Sequence, residues 1–393
     1  MKTWGITGTN GKTTCTWVLA KFISSAPGRK CGYITTVEVD TGARKFSSGY
    51  TTPPLAALKE IYAEMEAAGC TDCAMEVSSH AIVQNRVGFG ETTRFSGGGF
   101  TNLTEDHLDY HKTMEEYFRA KAKFAERLAE GVAAGPAAGR KDFPPFAVCL
   151  DGACGERMME FAGSLPLNVL PVSEKRSPYD LSQLKLPGAF NRSNVLLAAA
   201  LAEAAGVPRE TIQSCIPLLA PRWGRMEKIE NPFVAGEVYV DYAHTPDALE
   251  KALDALRETV RGDIIAVFGA GGDRDRAKRP LMGAACAARA DILYITSDNP
   301  RSEDPEEIAA QVAAGALEHP ASRCRRITVE TDRLAAINAA LAAAKPGDAV
   351  LIAGKGHETT QETAGVKRHF DDREAVRAWR PAPESAAERP QAT

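Results

Sequence analysis

Short apolar runs that close on glycine or polar residues recur along this chain, and alanine-rich stretches with helical spacing separate them. "TDCAMEVSS" (71–79), "FAVCLDG" (146–152), "DIIAVFGAGG" (263–272), "ADILYITSDNP" (290–300) and "DAVLIAGKG" (348–356) all read as short buried strands ending in turns. Strands that alternate with helices in this way predict an α/β fold with mostly parallel sheets. Ligands of open α/β sheets gather at the carboxyl ends of the strands. The polar and glycine residues at these strand ends therefore point to a ligand-binding enzyme.

Three segments break the pattern. "GVAAGPAAGRKDFPP" (131–145) reads as a flexible surface loop. "CIPLLAPRWGRME" (215–227) interrupts a helical run with two prolines and a glycine, which predicts a boundary near residue 221 and domains over 1–220 and 221–380. "PAPESAAERPQAT" (381–393) has the composition of a disordered tail. A length of 393 residues suits two domains of ordinary size. The net charge of −4 argues against nucleic-acid binding by general basicity. No apolar run reaches membrane-spanning length, and the N-terminus carries no apolar leader. The nine cysteines are scattered; only Cys70 and Cys73 are close, and no second pair or histidine cluster follows to complete a zinc site, which suggests buried thiols in a reducing, cytoplasmic compartment.

Candidate chemistry begins at "GTNGKTT" (8–14), where Gly8, Thr9, Asn10, Gly11, Lys12, Thr13 and Thr14 precede the helical stretch "TCTWVLAKFISS". Amides and a helix N-terminus suit phosphate, Lys12 would neutralise it, and Thr13 would reach Mg²⁺. The strict G-x-x-x-x-G-K-[ST] pattern is not met, because Ile6 stands where its first glycine belongs. A glycine turn before a helix with an incidental lysine is the plainer alternative. In "MEVSSHAIVQNRV" (75–87), Glu76 closes a strand, where an acid can hold Mg²⁺ beside a phosphate loop or simply be solvated. "FTNLTEDHLDYH" (100–111) gathers Asn102, Asp106, His107, Asp109 and His111; a helix capped by Thr104 would explain the acids but not the histidines. "YFRAKAKF" (117–124) sets lysines in a helix, by default on a solvated face.

These segments resemble, in order and spacing, the Mur ligases, the ATP-dependent amide ligases of peptidoglycan assembly. The likeness is greatest to the member that adds the third amino acid of the muramoyl peptide. "GAFNRSN" (188–194), "GRMEKI" (224–229), "VDYAHTPDALEKAL" (240–253), "FGAGGDRDRAKRPLMG" (268–283), "TSDNPRSEDP" (296–305) and "AGKGHET" (353–359) continue it, so it covers residues 5 to about 374. The resemblance implies a P-loop-type central ATPase domain followed by a Rossmann-like C-terminal domain. It implies ATP and two Mg²⁺ sites, with an acyl phosphate formed on a substrate carboxylate and then displaced by an amine.

Residue by residue, the resemblance implies Lys12 on the phosphates and metal on Thr13, Glu76, His107 and a carbamate of Lys121. Lys123 would be ordinary surface. The nucleotide would also meet Asn102, Asn191, Arg225, Asp241 and His244, drawn from both domains, which implies closure around substrate. The acceptor peptide would lie on Thr51, Thr52, Ser78, Gln84 and Arg86. Arg274, Asn299, Arg301, Gly354 and Glu358 would hold the incoming amino acid. Arg301 in "DNPR" favours meso-diaminopimelate over lysine, because an arginine pairs with the second carboxylate of diaminopimelate and repels an ammonium; a surface ion pair with Glu303 or Asp304 is the alternative. The resemblance also implies a first domain that grips the uridine nucleotide of UDP-MurNAc-L-Ala-D-Glu, and none of it is matched in this sequence. That leaves two other readings: a related ligase for an acceptor without UDP, as in folylpolyglutamate synthetases, and an ATP-binding remnant without catalysis.

Overall fold

A computed structural model describes residues 1–130 and 143–381. The expected flexible loop at 131–145 falls mostly outside the described residues, and so does the expected tail beyond residue 381. The described chain divides into two compact units, Met1–Pro221 and Arg222–Thr393. Among the described residues, no helix is long and apolar enough to cross a membrane.

The first unit is built on an eight-stranded sheet. Its order is Lys45–Phe46, Val39–Asp40, Cys31–Ile34, Asp72–Glu76, Lys2–Thr7, Phe95–Phe100, Pro145–Cys149 and Asn168–Val172. Strands from Cys31–Ile34 onward pair in parallel, and the two short outer ones pair antiparallel. Asp72–Glu76 is buried along its whole length, as a strand covered on both faces must be. Helices Lys12–Ser25 and Ala189–Ala204 pack against each other. Helix Met114–Glu130 packs on the sheet through Phe124, in a core cluster with Met75, Phe100 and Phe146.

Two glycines set how closely that helix approaches. A methyl group at Gly5 or at Gly98 would overlap the Phe124 ring. The sheet is therefore bare where Phe124 sits. Lys121, three residues earlier and on the same helical face, is carried toward the strand end. Ile6, which spoils the strict phosphate-loop pattern, is fully buried in the strand Lys2–Thr7. Its position belongs to the core, and the loop proper starts at Gly8.

The second unit has a six-stranded sheet in the order Arg326–Val329, Ile292–Ile295, Ile264–Phe268, Ala349–Ala353, Glu237–Asp241 and Glu227–Lys228. All pairs are parallel except the last. A hairpin, Thr360–Thr363 with Val366–His369, stands apart from it. Helices Pro246–Thr259, Pro305–Glu318 and Arg333–Ala343 begin under side-chain caps from Thr245, Asp304 and Asp332. Loops at the carboxyl ends of Ile264–Phe268, Ile292–Ile295 and Ala349–Ala353 carry the segments "GGDR", "DNPR" and "GKGHE".

Candidate active site

In the first unit the site is built around the turn from strand Lys2–Thr7 into helix Lys12–Ser25. Gly11 caps that helix in the left-handed region, with no side-chain cap bond and no acid in the first turn. This differs from the three capped helices above and leaves the helix N-terminus suited to an external anion. The Gly8 backbone is at φ 146, and a methyl there would overlap the Thr101 hydroxyl; one at Gly11 would overlap Asn194. Gly8→Ala should therefore cost about 1–3 kcal/mol of stability, read by urea denaturation. An unchanged midpoint would contradict this account of the loop.

The loop is stitched to the end of strand Phe95–Phe100. Thr9 N donates to Asn102 O at 2.9 Å and Asn10 N to Asn102 Oδ1 at 3.0 Å, while Thr101 Oγ1 donates to Asn10 O at 2.7 Å. Thr104 N donates to Thr9 Oγ1 at 3.2 Å and Asn10 Nδ2 to Thr104 Oγ1 at 3.3 Å. Thr104 is thus part of the loop's support and not a helix cap. The helix that follows is Leu108–His111, capped by His107 in the left-handed region.

Two lysines converge on one carbonyl. Lys12 Nζ donates to Gly8 O at 3.0 Å and Thr9 O at 2.6 Å, and Lys121 Nζ donates to Gly8 O at 2.6 Å. Lys121 is 1% exposed and sits 4.4 Å from the centre of the Tyr117 ring. Burial, reinforced by the Lys12 charge and opposed by Asp106, holds its pKa well below the ordinary lysine value. Lys123, two residues on, is half-buried. Burial likewise lowers His107 to about 4, against the pull of Asp106, whose carboxylate lies 3.5 Å from the ring nitrogen.

Glu76 is 1% exposed, which removes the reading of a solvated strand-end acid. Its Oε1 accepts from Thr13 Oγ1 and from Thr36 N, each at 2.8 Å, and its Oε2 accepts from Thr36 Oγ1 at 3.1 Å. The Thr36 hydroxyl also lies 3.0 Å from Thr51 Oγ1. Thr52 Oγ1 donates to Glu76 O at 2.8 Å and accepts from Ser78 N at 3.1 Å. Ser78 caps helix Ser79–Val83. Arg86 Nε donates to Gln84 Oε1 at 2.7 Å, and its guanidinium lies over Tyr50. Asn191 is buried in the first turn of helix Ala189–Ala204, with Asn194 between it and Gly11. Thr14 is half-buried in the first turn of helix Lys12–Ser25.

In the second unit, Asp241 Oδ2 accepts from Met226 N at 2.6 Å and its Oδ1 from Ala243 N at 2.7 Å. Arg225 lies over the Tyr242 ring at 4.4 Å, and the His244 and His357 rings flank Tyr242 at 4.5 and 5.0 Å. The amino-acid candidates follow three consecutive strands, Ile292–Ile295, Ile264–Phe268 and Ala349–Ala353. Asn299 Nδ2 donates to Glu358 Oε2 at 2.9 Å, and Lys355 Nζ lies 3.3 Å from the same oxygen. Arg301, at φ 53, donates from Nη1 to Gly272 O at 2.7 Å. A methyl at Gly271 would meet Arg301 Nη1 at 3.0 Å and Arg274 Cγ at 3.8 Å, and one at Gly354 would touch Asp298. Glu303, the expected surface partner of Arg301, is held instead by Arg276 and Arg279.

The Mur ligase middle domain matches residues 6–137 and the Mur ligase glutamate ligase domain matches residues 224–356. UDP-N-acetylmuramoyl-L-alanyl-D-glutamate–2,6-diaminopimelate ligase of Synechococcus elongatus is 43% identical over 96% of this chain and 76% of its own length. The chain belongs to the Mur ligase family. The enzyme of the same name from Corynebacterium glutamicum is 40% identical over 95% of this chain and 74% of its own. A solved structure of a ligase of that name aligns at a TM-score of 0.57, 32% identical, over 96% of this chain and 77% of that one. E. coli FolC in complex with DHPP and ADP aligns at 0.60 over 91% of this chain and 86% of that one, but at 19% identity this likeness concerns the fold alone.

Mur ligases use ATP, and the uncapped helix end with Lys12 fits a phosphate chain. Fit to a metal is narrower. Among the described residues, no three His, Cys, Asp or Glu side chains gather as a ligand set. Thr13 and Glu76 supply a few hard oxygens beside the phosphate loop, which suits Mg²⁺ completed by phosphate and water rather than by a protein cage. Two residues that bond to these candidates, Thr36 and Lys355, carry little signal of it in the sequence. Thr36 closes "CGYITT", two residues past strand Cys31–Ile34, and that polar strand end is the available signal. Lys355 lies inside the quoted "GKGHE", and nothing local marks it as fully buried.

Proposed function

We propose that this Mur ligase joins meso-diaminopimelate to the D-glutamate of UDP-MurNAc-L-Ala-D-Glu, with ATP as the energy source. The observation that carries the reading is the placement of Arg274, Asn299, Arg301 and Glu358 after three consecutive strands of the second unit, with Asn299 bonded to Glu358. That set pairs arginines for a carboxylate with an acid for an ammonium, the two groups at the far end of diaminopimelate. The names of relatives at 40% identity and above support the same substrate. Nine free cysteines support a reducing, cytoplasmic setting.

In the first unit, Lys12 and the helix amides bind the phosphates and spread the charge that develops in transfer. Thr51, Thr52, Ser78, Gln84 and Arg86 orient the acceptor. An acceptor carboxylate oxygen bonds to the γ-phosphorus as the bond to ADP breaks. The amine then bonds to the acyl carbon, phosphate leaves, and the amine loses a proton. Thr13 and Glu76 would hold one Mg²⁺ and His107 a second, and these ions would supply charge neutralisation at the phosphates. Burial favours the uncharged amine of Lys121, the form that adds to CO₂, releasing one proton and leaving a carbamate anion. A carbamate there would give the second Mg²⁺ site its anionic oxygens.

The test is ADP release with UDP-MurNAc-dipeptide, with the same dipeptide lacking UDP, and with neither, each with and without diaminopimelate. Turnover that requires both the UDP form and diaminopimelate is the expected result. Equal turnover with the shorter acceptor moves the assignment to a ligase of free peptides. No acceptor-dependent release refutes both. Glu76→Gln should reduce turnover by about 10²-fold, as loss of one charged group at a phosphoryl-transfer site does, with apparent Mg²⁺ affinity weakened in parallel; an unaltered Mg²⁺ dependence would remove Glu76 from the metal.

A further inference from the structure

Arg333 and Asp372 form an ion pair in which both side chains are 0% exposed, so neither can touch a substrate. Arg333 Nε donates to Asp372 Oδ1 and Nη2 to Asp372 Oδ2, both at 2.8 Å. The rest of the fork reaches two backbone carbonyls. Nη1 donates to Ser297 O at 3.1 Å and Nη2 to Ala353 O at 2.9 Å. Ser297 immediately precedes "DNPR", and Ala353 immediately precedes "GKGHE".

Those carbonyls belong to strand ends that are not neighbours. Ile264–Phe268 lies between Ile292–Ile295 and Ala349–Ala353, so no sheet hydrogen bond links the two ends. The guanidinium supplies a link that the sheet lacks. Both anchors are fixed. Arg333 is the first residue of a helix whose cap, Asp332, accepts from Leu334 N at 2.9 Å and Ala335 N at 3.1 Å. Asp372 opens helix Asp372–Ala378 under the Asp371 cap.

Stability alone does not explain such a pair. A buried ion pair is often no better than apolar residues of the same volume. Apolar side chains, however, cannot bond two carbonyls, and lysine lacks the planar fork that reaches two carbonyls and a carboxylate together. Beyond the tie, the loops bond each other directly through Asn299 with Glu358 and Lys355 with Asn299. A change in loop spacing would therefore pass straight into the proposed ligand set.

We propose that Arg333 and Asp372 are positioning residues for the amino-acid substrate, holding the loop that begins at Asp298 and the loop that begins at Gly354 at the separation the substrate needs. The proposal rests on the reading of these loops as the amino-acid pocket. The double variant Arg333→Met/Asp372→Leu removes both charges and leaves neither unpaired. It should raise the KM for diaminopimelate about tenfold or more, with kcat and the KM for ATP within about threefold. Amide hydrogen exchange should rise over 298–303 and 354–358. A folded double variant with an unchanged amino-acid KM overturns the proposal, as does a lowered melting temperature with no KM change. If the double variant does not fold, Asp372→Asn decides: it removes the charge and sets an NH₂ donor against one prong of the fork, so the amino-acid KM should rise, and an unchanged KM overturns the proposal equally. Should the unsubstituted enzyme couple another amino acid faster than diaminopimelate, the substrate reading fails, and the brace is then judged on the KM for that amino acid.

Discussion

Lys121→Met should lose ligation activity by about 10³-fold while melting at or above the temperature of the unsubstituted chain. The two halves of this expectation have separate causes. Activity falls because methionine can neither form a carbamate nor donate to Gly8 O, the carbonyl that Lys12 also contacts. Stability does not fall because the buried amine is costly to charge. A lysine whose folded pKa lies below its unfolded value binds fewer protons in the folded chain across that interval. Its unfavourable contribution is absent above the unfolded pKa, grows as pH falls, and is complete below the folded pKa. At neutral pH, therefore, removing the amine removes a penalty, and methionine fills much of the same space. Lys123→Ala, on the half-buried lysine two residues on, should leave turnover within about twofold. Steady-state rates and melting curves of the two variants check the assignment. Equal losses from both, or full activity in Lys121→Met, would refute it. Removal of CO₂ and bicarbonate should depress the unsubstituted enzyme and leave the variant unaffected.

Arg301→Ala should lower kcat/KM for diaminopimelate by about 10²-fold, the scale of one lost charge-assisted pair, and raise it for lysine. The opposite signs are the informative part. A guanidinium near the far end of the substrate attracts a carboxylate and repels an ammonium, so its removal weakens one substrate and relieves the other. The Arg301 side chain is held on Gly272 O and its backbone N–H on Glu362 O at 2.9 Å, so the charge has a fixed place. Competition between the two amino acids for one acceptor gives the ratio directly. Equal losses for both substrates would mean that Arg301 only supports the loop.

Much of the fold is legible in the sequence. The apolar runs ending in glycine or polar residues are the strands that carry the candidate groups, because a strand buried on both faces has little choice of composition. Glu76 was visible as a strand-end acid, but its burial was not. Thr36, which gives it two hydrogen bonds, lies 40 residues away in sequence and reaches it only because Cys31–Ile34 and Asp72–Glu76 are neighbours in the sheet. Arg333 looks like an ordinary basic residue after a helix cap, and only strand order turns it into a tie between loops. Thr104 misled for a local reason. Its sequence fits a helix cap, but the helix begins four residues later, under a histidine in the left-handed region. Propensity sees the short-range option, and the loop's tertiary hydrogen bonds outweigh it.

The order of strands in the first sheet also constrains how the chain folds. Lys2–Thr7 is a central strand, and its cross-chain bonds span long stretches of sequence: Trp4 to Asp72 across 68 residues, and Thr7 to Thr101 across 94. No hairpin can nucleate such pairing, so the loop-closure entropy comes due before any contact repays it. Refolding of this unit should be slow and strongly dependent on chain length, with the nucleotide loop among the last elements to gain protection, since its amides find their acceptors only once strand Phe95–Phe100 has docked.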